Sequence, residues 1–144
     1  MVDKKLNLDA LRLAVAALED GLEVVSNADW FKQQSGKVQN TLIAGVIQNF
    51  EFVYEVSFKM LRRQIELESA SPAEVDESNF RDVLRVAGEK GLIADVEAWF
   101  RYRQMRNITA HIDDHEKAQK VYEGILIFIN DARALLASLE ARNA

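Results

Sequence analysis

Cysteine is absent from the chain. Disulfides and thiolate-held metal sites are therefore excluded, and the composition is compatible with a reducing compartment. A single proline, Pro72, and six glycines leave little material for a loop-rich or disordered polypeptide. Long apolar runs are lacking too. Asn7, Asp9 and Arg12 interrupt the stretch where a signal core would sit, and no apolar segment approaches a bilayer-spanning length. These absences place the protein in the cytoplasm, with no membrane partner expected. Positive charge is also scarce, since 18 Lys and Arg stand against 23 Asp and Glu, a net charge of −5. Broad, non-specific nucleic-acid binding needs a basic footprint and is disfavoured, but a small local anion site is not.

What remains is enough to fold. Hydrophobic residues make up 49% of 144 positions, which supports one domain spanning residues 1–144 around a real core. The leading pattern is helical. Leu8, Leu11, Val15, Leu18, Leu22 and Val25 recur at steps of three and four, with Asn7 as the expected N-cap. After the polar loop Lys32–Gly36, a long helix is predicted to run to about Leu67. It carries two apolar rows: Ile43, Ile47, Phe50, Tyr54 and Leu61, and Leu42, Val46, Val53 and Met60. Two rows mean neighbours on more than one side, in a bundle core or at a subunit interface.

Pro72 marks the clearest break. A short helix is expected from about Ser78, with Phe80, Val83, Leu84 and Ala87 on one face and Gly91 closing it. A fourth helix is predicted from Asp95 towards Ala110. A fifth should open at Asp113, where Asp113-Asp114-His115-Glu116 resembles a capping box, with the core row Val121, Ile125, Phe128, Ala132, Leu135 and Leu139. No segment alternates in strand fashion. The prediction is an all-α protein, an antiparallel up-and-down four- or five-helix bundle.

The fourth helix breaks its own pattern. Its apolar stripe begins with Val96, Trp99 and Phe100, then continues with Arg103, Arg106, Asn107, Ala110 and His111. At about 100° per residue these positions share an arc of roughly 140°. A buried, unpaired guanidinium is costly, so these groups must meet partners, a water-filled cleft or another subunit. A plainer account is an arginine-rich helix end complementing the helix dipole, but Asn107 and His111 add nothing to that. Arginine offers a planar fork to phosphate oxygens, histidine exchanges a proton near neutral pH, and asparagine can orient either. Together they suit binding a nucleotide or RNA phosphate, or cleaving RNA without a metal.

The run Arg106-Asn107-Ile108-Thr109-Ala110-His111 resembles the Arg-Asn-x3-His motif of the HEPN superfamily. The segment Phe50-Glu51-Phe52-Val53-Tyr54-Glu55, followed by Lys59 and Leu61, is similar to that of its nucleotidyltransferase substrate-binding branch. So is Gly91-Leu92-Ile93, with Asp95 and Trp99 following. The likeness covers about residues 6–140. It implies a bundle that dimerises, with paired motifs lining a cleft at the interface. It also implies a minimal nucleotidyltransferase encoded nearby as partner, in a two-component, toxin–antitoxin-like system, with a homodimer or a higher hetero-oligomer as the assembly. Some members of the superfamily are metal-independent endoribonuclease toxins. Carried over, Arg106 would stabilise phosphate charge, His111 would act as general acid or base, and Asn107 would position them. Toxin members often carry a tyrosine two residues after the histidine, to which the partner attaches AMP. Asp113 stands there instead and offers no hydroxyl.

Arg103, Arg101 and Lys59 are candidates for substrate binding, with Arg62 and Arg63 as further cations. Glu51 and Glu55, four residues apart, are expected to support the arginines as ion-pair partners rather than to catalyse. His111 and His115 should be separated by a helix break, so no metal site is expected, and no cofactor. Three readings follow: a nucleotide- or RNA-binding partner subunit of a minimal nucleotidyltransferase, a metal-independent endoribonuclease using Arg106 and His111, or a structural helical adaptor.

Overall fold

The computed structural model describes residues 5–77, 79–112 and 114–144. Ser78 and Asp113, where two helices were expected to begin, lie outside the described residues. Among those described there is no strand. The helices are α1 (Asp9–Ser26), α2 (Ala28–Gln33), α3 (Gly36–Glu68), α4 (Pro72–Glu77), α5 (Phe80–Glu89), α6 (Val96–Thr109) and α7 (His115–Arg142). None is long and apolar enough to cross a membrane.

Each boundary has a local cause. Ser35 accepts from the Val38 N–H and opens α3, Asn79 accepts from Asp82 before α5, and Asp95 accepts from Ala98 before α6. Pro72 takes the first position of α4, where its missing N–H is no loss. Gly91, at φ 75°, closes α5. Leu92 N–H reaches the Ala87 carbonyl at 2.9 Å and Gly91 N–H that of Gly88 at 3.1 Å, the Schellman pattern.

Two caps differ from expectation. The N-cap position of α1 is Leu8, and Asn7 instead accepts from the Asp9 N–H at 2.9 Å. The N-cap of α7 is Asp114, whose carboxylate accepts from the Lys117 N–H at 2.8 Å. Adjacent aspartates have equal capping chemistry, so the sequence alone did not separate them. The expected polar loop after α1 also holds a helix, because Asn27 caps Trp30 and starts α2.

The long helices alternate in direction. Asn49 on α3 reaches the Ala17 carbonyl on α1, while Arg12 and Arg133 pair with Glu140 and Glu19 between α1 and α7. These contacts run α1 antiparallel to both α3 and α7, and α6 packs antiparallel to them in turn. The result is an up-down-up-down bundle with α3 at its centre, against α1, α4, α5, α6 and α7. The two apolar rows of α3 are thus both used inside the chain.

The predicted rows of α1 and α7 are buried throughout, and Phe50, Tyr54, Trp99, Tyr102 and Phe128 form an aromatic cluster between α3, α6 and α7. Phe128 sits edge-on to Phe50 and to Tyr102, each at 4.9 Å between centroids, a favourable geometry for aromatic pairs. That cluster fixes α6 against α3, and α6 carries the polar motif.

Candidate functional site

The buried face of α6 runs through Ala98, Trp99 and Tyr102. Trp99 of the predicted stripe belongs to that face, while Val96, Phe100, Arg103 and Arg106 lie on its flank. Arg103 and Arg106 are consequently half-buried, while Asn107 and His111 are exposed. The helix ends at Thr109, short of His111: the Thr109 hydroxyl donates to the Arg106 carbonyl at 2.6 Å, and His111 sits on the turn that follows, its N–H bonded to the Ile108 carbonyl at 2.9 Å.

Across from this helix end, α3 presents two carboxylates one turn apart. Glu55 Oε1 accepts from Arg106 Nε at 3.0 Å and from Nη2 at 2.7 Å. Glu51 lies 3.2 Å from Arg106 Nη1. The same nitrogen donates to the Thr109 hydroxyl at 3.3 Å. Bonding to Glu55 raises the Arg106 pKa further above its ordinary value; burial, the next largest effect, opposes this, and the charges of Glu51 and Glu55 add to the rise. The guanidinium is therefore fixed in orientation and largely balanced in charge.

Beside this clamp is a groove of about 480 Å³ lined by Tyr54, Glu55, Arg103, Arg106, Asn107, Ala110 and His111. Arg103 has no carboxylate partner among the described residues. Its Cζ lies 4.7 Å from the centroid of the Phe80 ring, a cation–π contact that holds the side chain without neutralising it. Tyr54 was read from the sequence only as a core residue. It is one, at 2% exposure, but it also lines the groove, and its hydroxyl is buried with no hydrogen-bond partner among the described residues. Burial raises its pKa, while the Arg103 and Arg106 guanidinium groups pull it down. The signal available in the sequence was its place next to Glu55.

Not every expected residue gathers here. Arg101 is exposed and points back to the helix start, 3.9 Å from Asp95. Lys59 lies on an exposed position of α3 one turn beyond Glu55, outside the groove lining. Arg62 stacks over Phe58 at 5.4 Å. His115 lines a separate cavity of about 280 Å³ with Phe31, Gln39 and Tyr122, so the two histidines face different spaces. Among the described residues no cluster of His, Asp and Glu is arranged to hold a metal ion. A wider depression of about 540 Å³, between Asp20, Glu23, Val24, Asn27 and Trp30, presents carboxylates and no cation. It does not suit a phosphate.

An all-helical bundle with an Arg-Asn-x3-His helix end facing two carboxylates defines a HEPN-like chain. Residues 6–141 match the family described as "Nucleotidyltransferase substrate binding protein like", and the protein belongs to that family, the nucleotidyltransferase substrate-binding branch of the HEPN superfamily. A Haemophilus influenzae protein described as "Probable ribonuclease HepT" is 45% identical over 143 residues, which is 99% of this chain and 98% of that one. A solved structure from the same species, described as revealing the fold of a substrate-binding domain of a nucleotidyltransferase, superposes with a TM-score of 0.91 at 44% identity. It covers 93% of this chain and 99% of its own.

Proposed function

We propose that the protein binds a nucleotide or RNA phosphate in the Arg103–His111 groove and works as the partner subunit of a minimal nucleotidyltransferase. The observation that carries this reading is the convergence, in one groove, of two guanidinium groups, a phenol, an amide and an imidazole. The structural relative, whose fold is that of a substrate-binding domain of a nucleotidyltransferase, supports the nucleotidyltransferase partner. Phe52 and Ile108, 54% and 45% exposed and adjacent in sequence to Glu51 and Asn107, leave apolar surface for a second subunit beside the groove. A short nucleotidyltransferase reading frame next to this gene, and co-purification of its product, would support the pairing.

The direct test is binding of a labelled single-stranded RNA by fluorescence anisotropy. Arg103→Ala should weaken it about tenfold, the worth of one charge-assisted hydrogen bond to phosphate. Arg106→Ala should weaken it as well. Affinity unchanged in both variants counts against the reading.

A second reading is favoured by the curated relative and by His111 on the groove rim. In it the chain is a metal-independent endoribonuclease. The ribose 2′-oxygen attacks phosphorus, the bond to the 5′-oxygen breaks, one proton leaves the 2′-hydroxyl and one reaches the departing oxygen. The products are a 2′,3′-cyclic phosphate and a 5′-hydroxyl. Arg106 stabilises charge on the phosphoryl oxygens and His111 transfers a proton. Cleavage in the presence of chelator that disappears in His111→Ala, with RNA binding retained, would establish it. Absence of cleavage in the wild-type protein leaves binding as the function.

A further inference from the structure

Arg106 is held by two carboxylates, so the cations free to meet an anion must be sought beyond it. Arg103 is one. A second is Arg81, in the first turn of α5, exposed and with no carboxylate partner among the residues whose side chains are described; its neighbour Arg85 is the one that pairs with Asp82. Arg81 and Arg103 share a platform. The Arg81 Cζ lies 5.5 Å from the Phe80 centroid and 5.4 Å from that of Phe100, and the Arg103 Cζ lies 4.7 Å from Phe80. Phe80 and Phe100 are themselves edge to face at 6.3 Å. Two guanidinium groups thus flank one aromatic surface, and one of them lines the groove.

We propose that this Arg103–Phe80–Arg81 surface continues the groove and takes a second phosphate, so that the ligand is a single-stranded oligonucleotide rather than a mononucleotide. The inference rests on the phosphate-binding reading of the groove and deepens it. Guanidinium groups stacked on rings keep their full charge and their outward N–H donors. Guanidinium groups braced in a row on rings suit single strands, whose backbone follows the charges. The protein is acidic overall, so its attraction for a polyanion must be local, and these two cations supply it without a broad basic face.

The test compares two probes on the full chain, a labelled RNA decamer and AMP. In Arg81→Ala the decamer should bind at least about threefold more weakly, and the slope of log affinity against log salt should fall by about 0.7 for the one lost contact. AMP affinity should not change. Arg81→Lys, which keeps the charge, should recover most of the decamer affinity. Arg103→Ala should weaken both probes. If Arg81→Ala leaves decamer affinity and salt slope unchanged while Arg103→Ala weakens binding, the extended track is wrong and the groove reading stands. A lowered Tm in Arg81→Ala with unchanged RNA affinity has the same meaning, since Arg81 would then only brace α5 against α6. If neither Arg103→Ala nor Arg106→Ala affects either probe, the groove reading falls and the track falls with it.

Discussion

Arg106 donates to a single oxygen of Glu55 from two nitrogens, Nε at 3.0 Å and Nη2 at 2.7 Å, across 51 residues of sequence. With Glu51 on the third nitrogen, this clamp fixes the end of α6 to the middle of α3. Arg106→Ala leaves two carboxylates one turn apart without their cation. The Arg106 side chain is 28% exposed and that of Glu55 56%, so solvent screens much of the pair. The expected cost is about 1–2 kcal/mol, between the values for exposed and buried pairs, and the Tm should drop by roughly 2–8 °C. Glu55→Gln should cost less, about 0.5–1 kcal/mol. It should also tighten RNA binding, because the guanidinium is then balanced by Glu51 alone. Thermal unfolding and anisotropy on the same two variants check both signs; RNA affinity unaltered by Glu55→Gln would mean that the carboxylate does not compete with the ligand.

The ends of α3 and α7 meet at another carboxylate. Glu68 accepts from Arg142 Nη1 at 2.8 and 2.9 Å and from Gln64 at 2.6 Å, with Lys90 at 3.5 Å. Burial pushes the Glu68 pKa up, but the bonds from Gln64 and Arg142, then the charges of Arg142 and Lys90, bring it below the ordinary 4.5. A depressed folded pKa means stability present above the unfolded value and lost as pH falls through the folded one. The Glu68 contribution should thus be complete at pH 7 and disappear below pH 4.5. Urea denaturation should show Glu68→Gln less stable than the parent at pH 7, by about 0.5–1.5 kcal/mol, with the two converging in acid. A gap that persists unchanged in acid would show that the charge is not responsible.

Much of this arrangement was readable in the sequence, and what was not has identifiable causes. The rows on α1 and α7 are strictly amphipathic, so Leu11 through Val25 and Val121 through Leu139 fall in the core as their spacing requires. On α6 the sequence misled by a fraction of a turn. Tyr102 stands between Arg101 and Arg103 and looks like part of a polar run, yet it is buried with Ala98 and Trp99. The guanidinium row therefore falls beside the core rather than in it. The short helices α2 and α4 have too few residues for any periodicity. Glu51 and Glu55 could be read as partners of the arginines once the family resemblance was added to their charge. That both engage Arg106, leaving Arg103 to Phe80, depends on how α3, α5 and α6 pack, which no local pattern encodes.

Two glycines should respond differently to alanine. A Cβ on Gly88 would come 2.4 Å from Val96 Cγ2, the β-branched side chain at the start of α6, which has little room to rotate away. A Cβ on Gly124 would meet only the far end of Met105, at 2.7 Å from Cε and 2.8 Å from Sδ. Methionine repacks easily. Both substitutions gain about 1 kcal/mol of helix propensity. Gly88→Ala should nonetheless destabilise by about 1–3 kcal/mol through overpacking between α5 and α6, whereas Gly124→Ala should be neutral or slightly stabilising. Equal Tm values for the two variants would show that α5 can shift to make room.

Removing a hydroxyl from each of two buried tyrosines should have opposite consequences. The Tyr102 hydroxyl donates to the Asp131 carboxylate, tying α6 to α7. Burial, then that bond and the charge of Asp131, hold its pKa far above the ordinary 10.0. A raised folded pKa means that this contribution is complete below the ordinary value and is lost only as pH rises through the folded one, so it is intact at neutral pH. Tyr102→Phe leaves a part-buried carboxylate without its donor and should cost about 1.5–3 kcal/mol at pH 7. Tyr54 has the reverse arrangement, a buried hydroxyl with no acceptor among the described residues. Tyr54→Phe keeps the ring in the aromatic cluster and deletes a group desolvated without return, so stability should stay level or rise by up to about 1 kcal/mol. Urea unfolding of the two variants, with m-values compared to confirm a common transition, decides the matter. A Tyr54→Phe protein as weakened as Tyr102→Phe would mean that the Tyr54 hydroxyl is bonded in solution, with Arg103 the neighbour placed to supply that bond. Unaltered stability with weakened RNA binding would instead make Tyr54 a group kept for the ligand rather than for the fold.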